Sequence, residues 1–135
     1  MSKINIKIIM PDKKKLDVMV DSIILPGIDG DFEVLEGHSP FITKLRSGSI
    51  RVHIGDKHEY YAIHEGFTSV ENNQVLVLSE VCENQAEIDV KRAELAKERA
   101  ERRFANADPG SVDFRRAEVA LKRAITRLET KSIKL

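Results

Sequence analysis

The stretch EIDVKRAELAKERAERR, residues 87–103, carries charge on 11 of its 17 residues. Within it Arg92 and Arg99 are seven apart, so on a helix they project from nearly the same side. Arg123 and Arg127 are four apart and share a side of a second helical segment. Guanidinium is a planar, permanently charged fork that matches phosphate oxygens, so four arginines converging on one cleft would suit the phosphates of a nucleotide. Asp89, one turn before Arg92, is placed to orient that arginine or to accept from ribose or base. Glu83, just ahead of the helix, would be a polar candidate for the base of such a nucleotide, and Ile88 and Ala93 would give apolar contact. The plain alternative is a solvated helix. Glu87–Lys91 and Glu98–Arg102 are spaced i,i+4, and Asp89–Arg92 i,i+3. Such exposed pairs contribute only ~0.2–0.5 kcal/mol each.

Two kinds of element must position these residues. Up to about residue 80 the rhythm is period two, with Ile4, Ile6, Ile8 and Met10 alternating with more polar positions. Short β-rich runs follow: LDVMV, SIIL, DFEVL, FITKL, SIRVHI, HEYYAI, GFTSV and QVLVLS. Turn signals separate them at Pro11-Asp12, Pro26-Gly27, Asp29-Gly30, Glu36-Gly37, Ser47-Gly48, Gly55-Asp56 and Asn72-Asn73. This predicts an antiparallel sandwich or barrel of about ten short strands, each burying one face. After Asn84 the chain turns to Ala, Glu, Lys, Arg and Leu, strong helix formers, interrupted only by NADPGS at 106–111. Asp108 before Pro109 predicts an N-cap, with Ser111 a competing cap one turn later. Stripes at Ala93, Ala96, Ala100, Phe104 and at Ala117, Leu121, Ala124, Leu128 predict an antiparallel hairpin of two helices. The fold class is therefore α+β, with a β-sandwich domain over 1–84 and a helical hairpin over 85–135. An alanine interface lets backbones approach but buries little apolar area, so the hairpin reads as weakly held and able to move.

Lys+Arg and Asp+Glu both total 22, giving no net charge, yet the halves differ. Residues 1–85 hold 9 basic and 13 acidic side chains, and 86–135 hold 13 basic and 9 acidic. The second module is the one suited to acidic surfaces or phosphates. In its second helix Arg115, Arg116, Lys122, Arg123, Arg127, Lys131 and Lys134 give a basic bias. Its Glu118–Lys122 pair is again the ordinary surface alternative. The lone Cys82 has no internal disulfide partner and reads as a small buried side chain. The N-terminal MSKINIKIIMPDKKK has no continuous apolar core, and no run approaches the ~20 apolar residues of a membrane span. There is no GxxxxGK[ST] loop for an ATP-consuming enzyme. His53, His58 and His64 lack zinc-ligand spacing and read as strand residues.

The segment LPGIDGDFEVLEGHSPFITKLRSGSIRV, residues 25–52, resembles the signature of the epsilon subunit of F-type rotary ATP synthases of the bacterial type. Pro26-Gly27, Gly30-Asp31-Phe32, Val34-Leu35, Gly37-His38, Pro40, Leu45 and Gly48 carry the match. IDVKRA at 88–93 resembles the motif of that family's nucleotide-binding members, and ALKRAITRL at 120–128 its second C-terminal helix. Glu33, Glu36 and Ser39 depart from the usual glycine, proline and alanine, and HEGF at 64–67 stands where a small residue before GGF is usual.

The resemblance implies a non-catalytic central-stalk subunit. Its sandwich would bind the gamma subunit and the membrane rotor ring (the c-ring) through the loops at 28–33 and 37–40. Asp31, Phe32, Gly37, His38 and Pro40 would be the contact residues. The resemblance further implies a hairpin that moves between a compact and an extended state. Extended, it would reach the catalytic alpha and beta subunits, through Arg115, Arg116, Lys122, Arg123 and Arg127, and inhibit ATP hydrolysis. Glu83, Ile88, Asp89, Arg92, Ala93, Arg99, Arg123 and Arg127 would hold ATP, with or without Mg, as a regulatory ligand; no cofactor is required. Location would be peripheral, on the cytoplasmic side of a bacterial inner membrane, touching the membrane only through the complex. The rival reading is a free-standing β-sandwich adaptor whose basic helical arm binds nucleic acid. Glu94, Glu98 and Glu101 on that arm argue against it, so no nucleic acid is expected.

Overall fold

The computed structural model describes residues 3–133. Ten strands come first: β1 (Ile4–Met10), β2 (Lys13–Val20), β3 (Ser22–Gly27), β4 (Gly30–Val34), β5 (Phe41–Leu45), β6 (Gly48–Ile54), β7 (Lys57–Ile63), β8 (Gly66–Glu71), β9 (Gln74–Leu78) and β10 (Cys82–Asn84). A single 3-10 turn, Gln85–Glu87, leads to α1 (Val90–Asn106) and α2 (Val112–Ser132). The strands run in the order β10-β7-β6-β3-β5-β8-β9-β1-β2, with β4 added on β3, and wrap into a nearly closed sandwich. The α+β expectation holds. One pairing departs from an antiparallel scheme, because β1 lies parallel to β9 with Ile6 opposite Val75.

Alternation builds the core. Ile4, Ile6 and Ile8 of β1 are fully buried and meet Ile23, Leu25, Val34, Ile50, Val52, Val75 and Val77. Cys82 joins this core, and burial pushes its thiol up to about 12. Asn72-Asn73 turns β8 into β9 with positive φ at both residues (50° and 61°), the geometry a two-residue hairpin needs. Pro26-Gly27 is not a turn: it completes β3, and the chain reverses after it, at Ile28 and Asp29. β3 pairs with β6 only through Ser22, Ile23 and Ile24, so beyond them no ladder N–H is demanded of Pro26 on that side.

β7 breaks the alternation, and the reason governs the rest of the molecule. Tyr60, Tyr61, Ala62, Ile63 and His64 are all buried. Tyr61 and Ile63 point into the sandwich core, while the alternate positions face out, beneath the hairpin. α2 packs on β6, β7 and the 3-10 turn, and α1 packs mainly on α2. Ser49 pairs with Ala62, and Ala62 with Glu83, so one outward face presents Ser49, Ala62 and Glu83 to the helix. The small residues let the helix sit close: Ser49 Oγ and Thr130 Oγ1 are 2.7 Å apart.

Ser111, rather than Asp108, caps α2, its Oγ accepting from the Phe114 N–H at 3.1 Å. Gly110 takes a left-handed φ of 86°, so Pro109-Gly110 spends itself on the reversal and the helix starts after it. Ala93, Ala100, Ala117 and Ala124 are the buried alanines of the hairpin, closed at its tip by Phe104 against Phe114 with ring centroids 4.5 Å apart. Four buried alanine methyls contribute only on the order of 3 kcal/mol, so the hairpin depends on its seat.

Candidate functional site

Asp89 is the N-cap of α1, its Oδ1 accepting from the Arg92 backbone N–H at 3.1 Å. That cap fixes where the helix begins and so which side of it Arg92 and Arg99 occupy. Across from them α2 brings Arg127, and the sandwich edge brings Glu83. These residues line a single cleft of about 530 Å³, together with Ala93, Leu95, Ala96 and Glu87. Six of the residues picked from the sequence thus share one wall-to-wall space: Glu83, Asp89, Arg92, Ala93, Arg99 and Arg127.

Two do not. Ile88 is buried beneath the start of α1, where it supports the cleft without lining it. Arg123 lies one turn nearer the hairpin tip than Arg127. It lines the neighbouring grooves, one with Arg115 and Arg116 and one with His64, Glu65 and Glu80. A step of four residues is about 6 Å along the helix axis, so Arg123 stands that much farther toward the hairpin tip than Arg127. Three guanidiniums converge where four were expected. Leu95, 60% exposed, is an apolar lip outside the residues picked from the sequence; it lies off the alanine stripe, on the far side of Arg92 and Arg99.

Three carboxylates (Glu83, Glu87 and Asp89) and three guanidiniums (Arg92, Arg99 and Arg127) line the cleft, but they are not paired one to one. Glu83 Oε1 accepts from Arg127 Nε at 2.6 Å and from His64 Nε2 at 3.1 Å. His64 first, then Arg127, holds the Glu83 carboxyl down at about 2, against an ordinary 4.5. Glu87 turns away from Lys91, pairing with Lys15 of β2 at 2.5 Å and accepting from the Asn84 N–H at 3.0 Å. Glu87 precedes the first turn of α1, so the i,i+4 relation with Lys91 never forms. Of the four pairs anticipated, Glu118–Lys122 is present at 3.8 Å, and among the described residues the others are not within 4.0 Å. Arg92 and Arg99 therefore face the cleft without a carboxylate partner among the described residues. Such a space can take an anion with several oxygens.

The hairpin is seated by a short list of polar contacts. Gln85 Nε2 donates to the Thr130 and Ile133 carbonyls at 2.9 and 2.7 Å. Lys131 Nζ donates back to the Gln85 carbonyl at 2.9 Å. Arg115, Arg116 and Lys122 are exposed on α2, and Lys134 lies outside the described residues.

At the other end of the sandwich Asp31 pairs with Arg46, and the β3–β4 turn places Phe32 edge-on against Phe41, centroids 5.2 Å apart. Gly37 takes a left-handed φ of 82° and donates its N–H to Asn73 Oδ1 at 2.7 Å. His38 follows, its ring 6.4 Å from Phe41, and Pro40 is exposed beside it. Leu35 and Ile42 stand exposed nearby, Ile42 at 79%. A second outward apolar pair, Phe67 opposite Leu78, runs across β8 and β9. His53 and His58 stack across β6 and β7 at 4.6 Å, remote in role from His64, which is turned to Glu83.

A nearly closed β-sandwich with a two-helix hairpin laid across one sheet face, and an arginine-lined cleft at their junction, is a two-part α+β architecture. The ATP synthase delta/epsilon chain beta-sandwich domain matches residues 3–85, and the long alpha-helix domain of the same family matches residues 86–132. The chain belongs to the ATP synthase delta/epsilon family. It is 44% identical over 127 residues to the ATP synthase epsilon chain of Syntrophobacter fumaroxidans, covering 94% of each. To that of Desulforamulus reducens it is 38% identical over 122 residues, covering 90% of this chain and 92% of the other. A chain of the Euglena gracilis mitochondrial ATP synthase shares the fold with a TM-score of 0.83 at 24% identity, over 93% of this chain and 79% of that one. No helix among the described residues is long and apolar enough to cross a membrane.

Proposed function

We propose that this chain is a non-catalytic regulatory subunit of the central stalk of an ATP synthase, acting as two units, 1–84 and 85–135. The sandwich links the gamma subunit to the membrane rotor ring. The cluster of Asp31, Phe32, Gly37, His38 and Pro40, with exposed Leu35 and Ile42 beside it, suits the ring. The lateral Phe67–Leu78 pair suits gamma. The hairpin leaves its seat, extends along gamma and sets its basic face, Arg115, Arg116, Lys122, Arg123 and Arg127, against acidic segments of the catalytic alpha and beta subunits. Hydrolysis is then blocked. The subunit works at the cytoplasmic face of a bacterial inner membrane, reached only through the complex.

One observation carries this reading: the hairpin is joined to the sandwich through an open, arginine-lined cleft that both units build. ATP bound there, alone or with Mg, contacts α1 and α2 at once and favours the seated state, because a ligand shifts an equilibrium by its differential affinity for the two states. Plentiful ATP keeps the inhibitor in place and scarcity releases it. Arg92, Arg99 and Arg127 hold the phosphates, with Asp89 and Leu95 at the lip. The test compares ATP hydrolysis by the assembled complex with and without residues 86–135. Faster hydrolysis after truncation supports an inhibitory hairpin, and an unchanged rate removes it.

A further inference from the structure

His64 is the one buried histidine among the described residues, at 5% exposure, and nothing in the function above uses it. Its Nε2–H donates to Glu83 Oε1, while Nδ1 is buried with no hydrogen-bond partner among the described residues. A buried polar atom without a partner is costly, and an apolar side chain would fill the space without that cost. What the imidazole gains there is the bond to Glu83.

Glu83 sits on β10, a three-residue strand that pairs with β7, and its side chain lies on the outward face beneath α2. A glutamate there has rotamers to lose on capturing an arginine. His64, buried immediately after β7, removes that freedom in advance, so Glu83 is already aimed when Arg127 arrives. The same carboxylate oxygen receives both donors, at 3.1 Å and 2.6 Å. Arg127 spends its Nε on Glu83, and its two Nη groups are left for the cleft it lines.

We propose that His64 is a positioning residue for the hairpin: it fixes Glu83, and Glu83 fixes Arg127, so a histidine of the sandwich sets how firmly the hairpin is seated and where Arg127 points. The effect on seating stands by itself; the effect on ligand affinity rests on the ATP reading above. The groups around the imidazole are Glu83 of β10, Arg127 and Arg123 of α2, Glu65 before β8 and Glu80 after β9.

The test uses the full chain labelled with 15N, reading the Arg127 Nε–Hε signal and hydrogen exchange of the α2 amides. Wild type shows a protected Arg127 signal. His64→Ala loses it and speeds exchange in the second half of α2 by about tenfold, the expected size for a hydrogen bond to a charged group. His64→Gln, which returns an N–H donor, restores most of both. A His64→Ala signal and exchange rate equal to wild type overturn the proposal, as does a His64→Gln that behaves like His64→Ala, since packing alone would then explain the site. Glu83→Ala approaches from the other end with His64 intact; an undisturbed Arg127 signal in that variant also overturns it, even if His64→Ala does not fold. Adding MgATP separates the two readings. If wild type fails to bind while the His64 variants still release Arg127, only the ATP reading falls. If wild type and His64→Ala bind ATP equally, His64 has no hold on the cleft.

Discussion

Replacing Glu83 by Gln removes the charge that seats Arg127 while keeping size and one carbonyl oxygen. Unit charges about 4 Å apart attract by about 4 kcal/mol at an effective dielectric of 20. Each side chain is about a quarter exposed (27% and 26%), so solvent screening and rotamer loss reduce the net contribution to about 1–2 kcal/mol. The carboxyl's displacement from 4.5 to about 2 gives a consistent bound. Taken whole, it corresponds to about 3 kcal/mol, shared with His64 as the larger cause and reduced again by screening. The part that depends on Arg127 is therefore about 1 kcal/mol, or roughly a fivefold rise in the unseated population. Hydrogen exchange read by mass spectrometry on the full chain should show that rise in peptides covering the second half of α2, with the sandwich unaffected. A folded pKa below the unfolded one means stabilisation that is complete above about pH 4.5 and lost as pH falls toward 2. Wild type should lose α2 protection across that window, and Glu83→Gln should lack that step. Equal exchange in both proteins at neutral pH would refute the reasoning that this ion pair seats the hairpin.

Three further outcomes follow from particular contacts. At Gly66 an added Cβ would lie 2.3 Å from the Leu78 carbonyl oxygen, so Gly66→Ala should lower stability by roughly 1–3 kcal/mol, visible as a lower Tm by circular dichroism. Ser111→Ala removes the cap of α2 and should cost about 1 kcal/mol, with faster exchange confined to 112–116 and the hairpin tip. Burial holds the Cys82 thiol near 12, so a thiol-specific disulfide reagent at pH 8 should react only after denaturant is added.

The sandwich was legible because most of its strands bury one face and wet the other, and because Asn72-Asn73 and Glu36-Gly37 are turn residues for a stated steric reason. Pro26-Gly27 misled for the complementary reason: proline tolerates a strand where its neighbour has stopped pairing. Alternation carries no direction, so the parallel contact of β1 with β9 had no local signal. The cleft was half visible. Helical spacing puts Arg92, Arg99 and Arg127 on facing sides, but spacing within one helix does not say which of its turns stands level with the other helix's arginines, and Arg123 is one turn too near the tip. Helical spacing does not foretell the Glu87 ion pair, whose partner is Lys15, 72 residues away. His64 reads as a strand histidine by spacing alone, although the unbroken run YYAI before it is the sign that β7 is covered on both faces.

The central claim is that the cleft between hairpin and sandwich is a nucleotide sensor. Titrating the isolated full chain with ATP, by calorimetry and by 15N NMR, tests it most directly. The account predicts measurable heat and shifts at Asp89, Arg92, Arg99 and Arg127, abolished by Arg92→Ala and accompanied by slower exchange in α2. No heat and no shifts at millimolar ATP would contradict it.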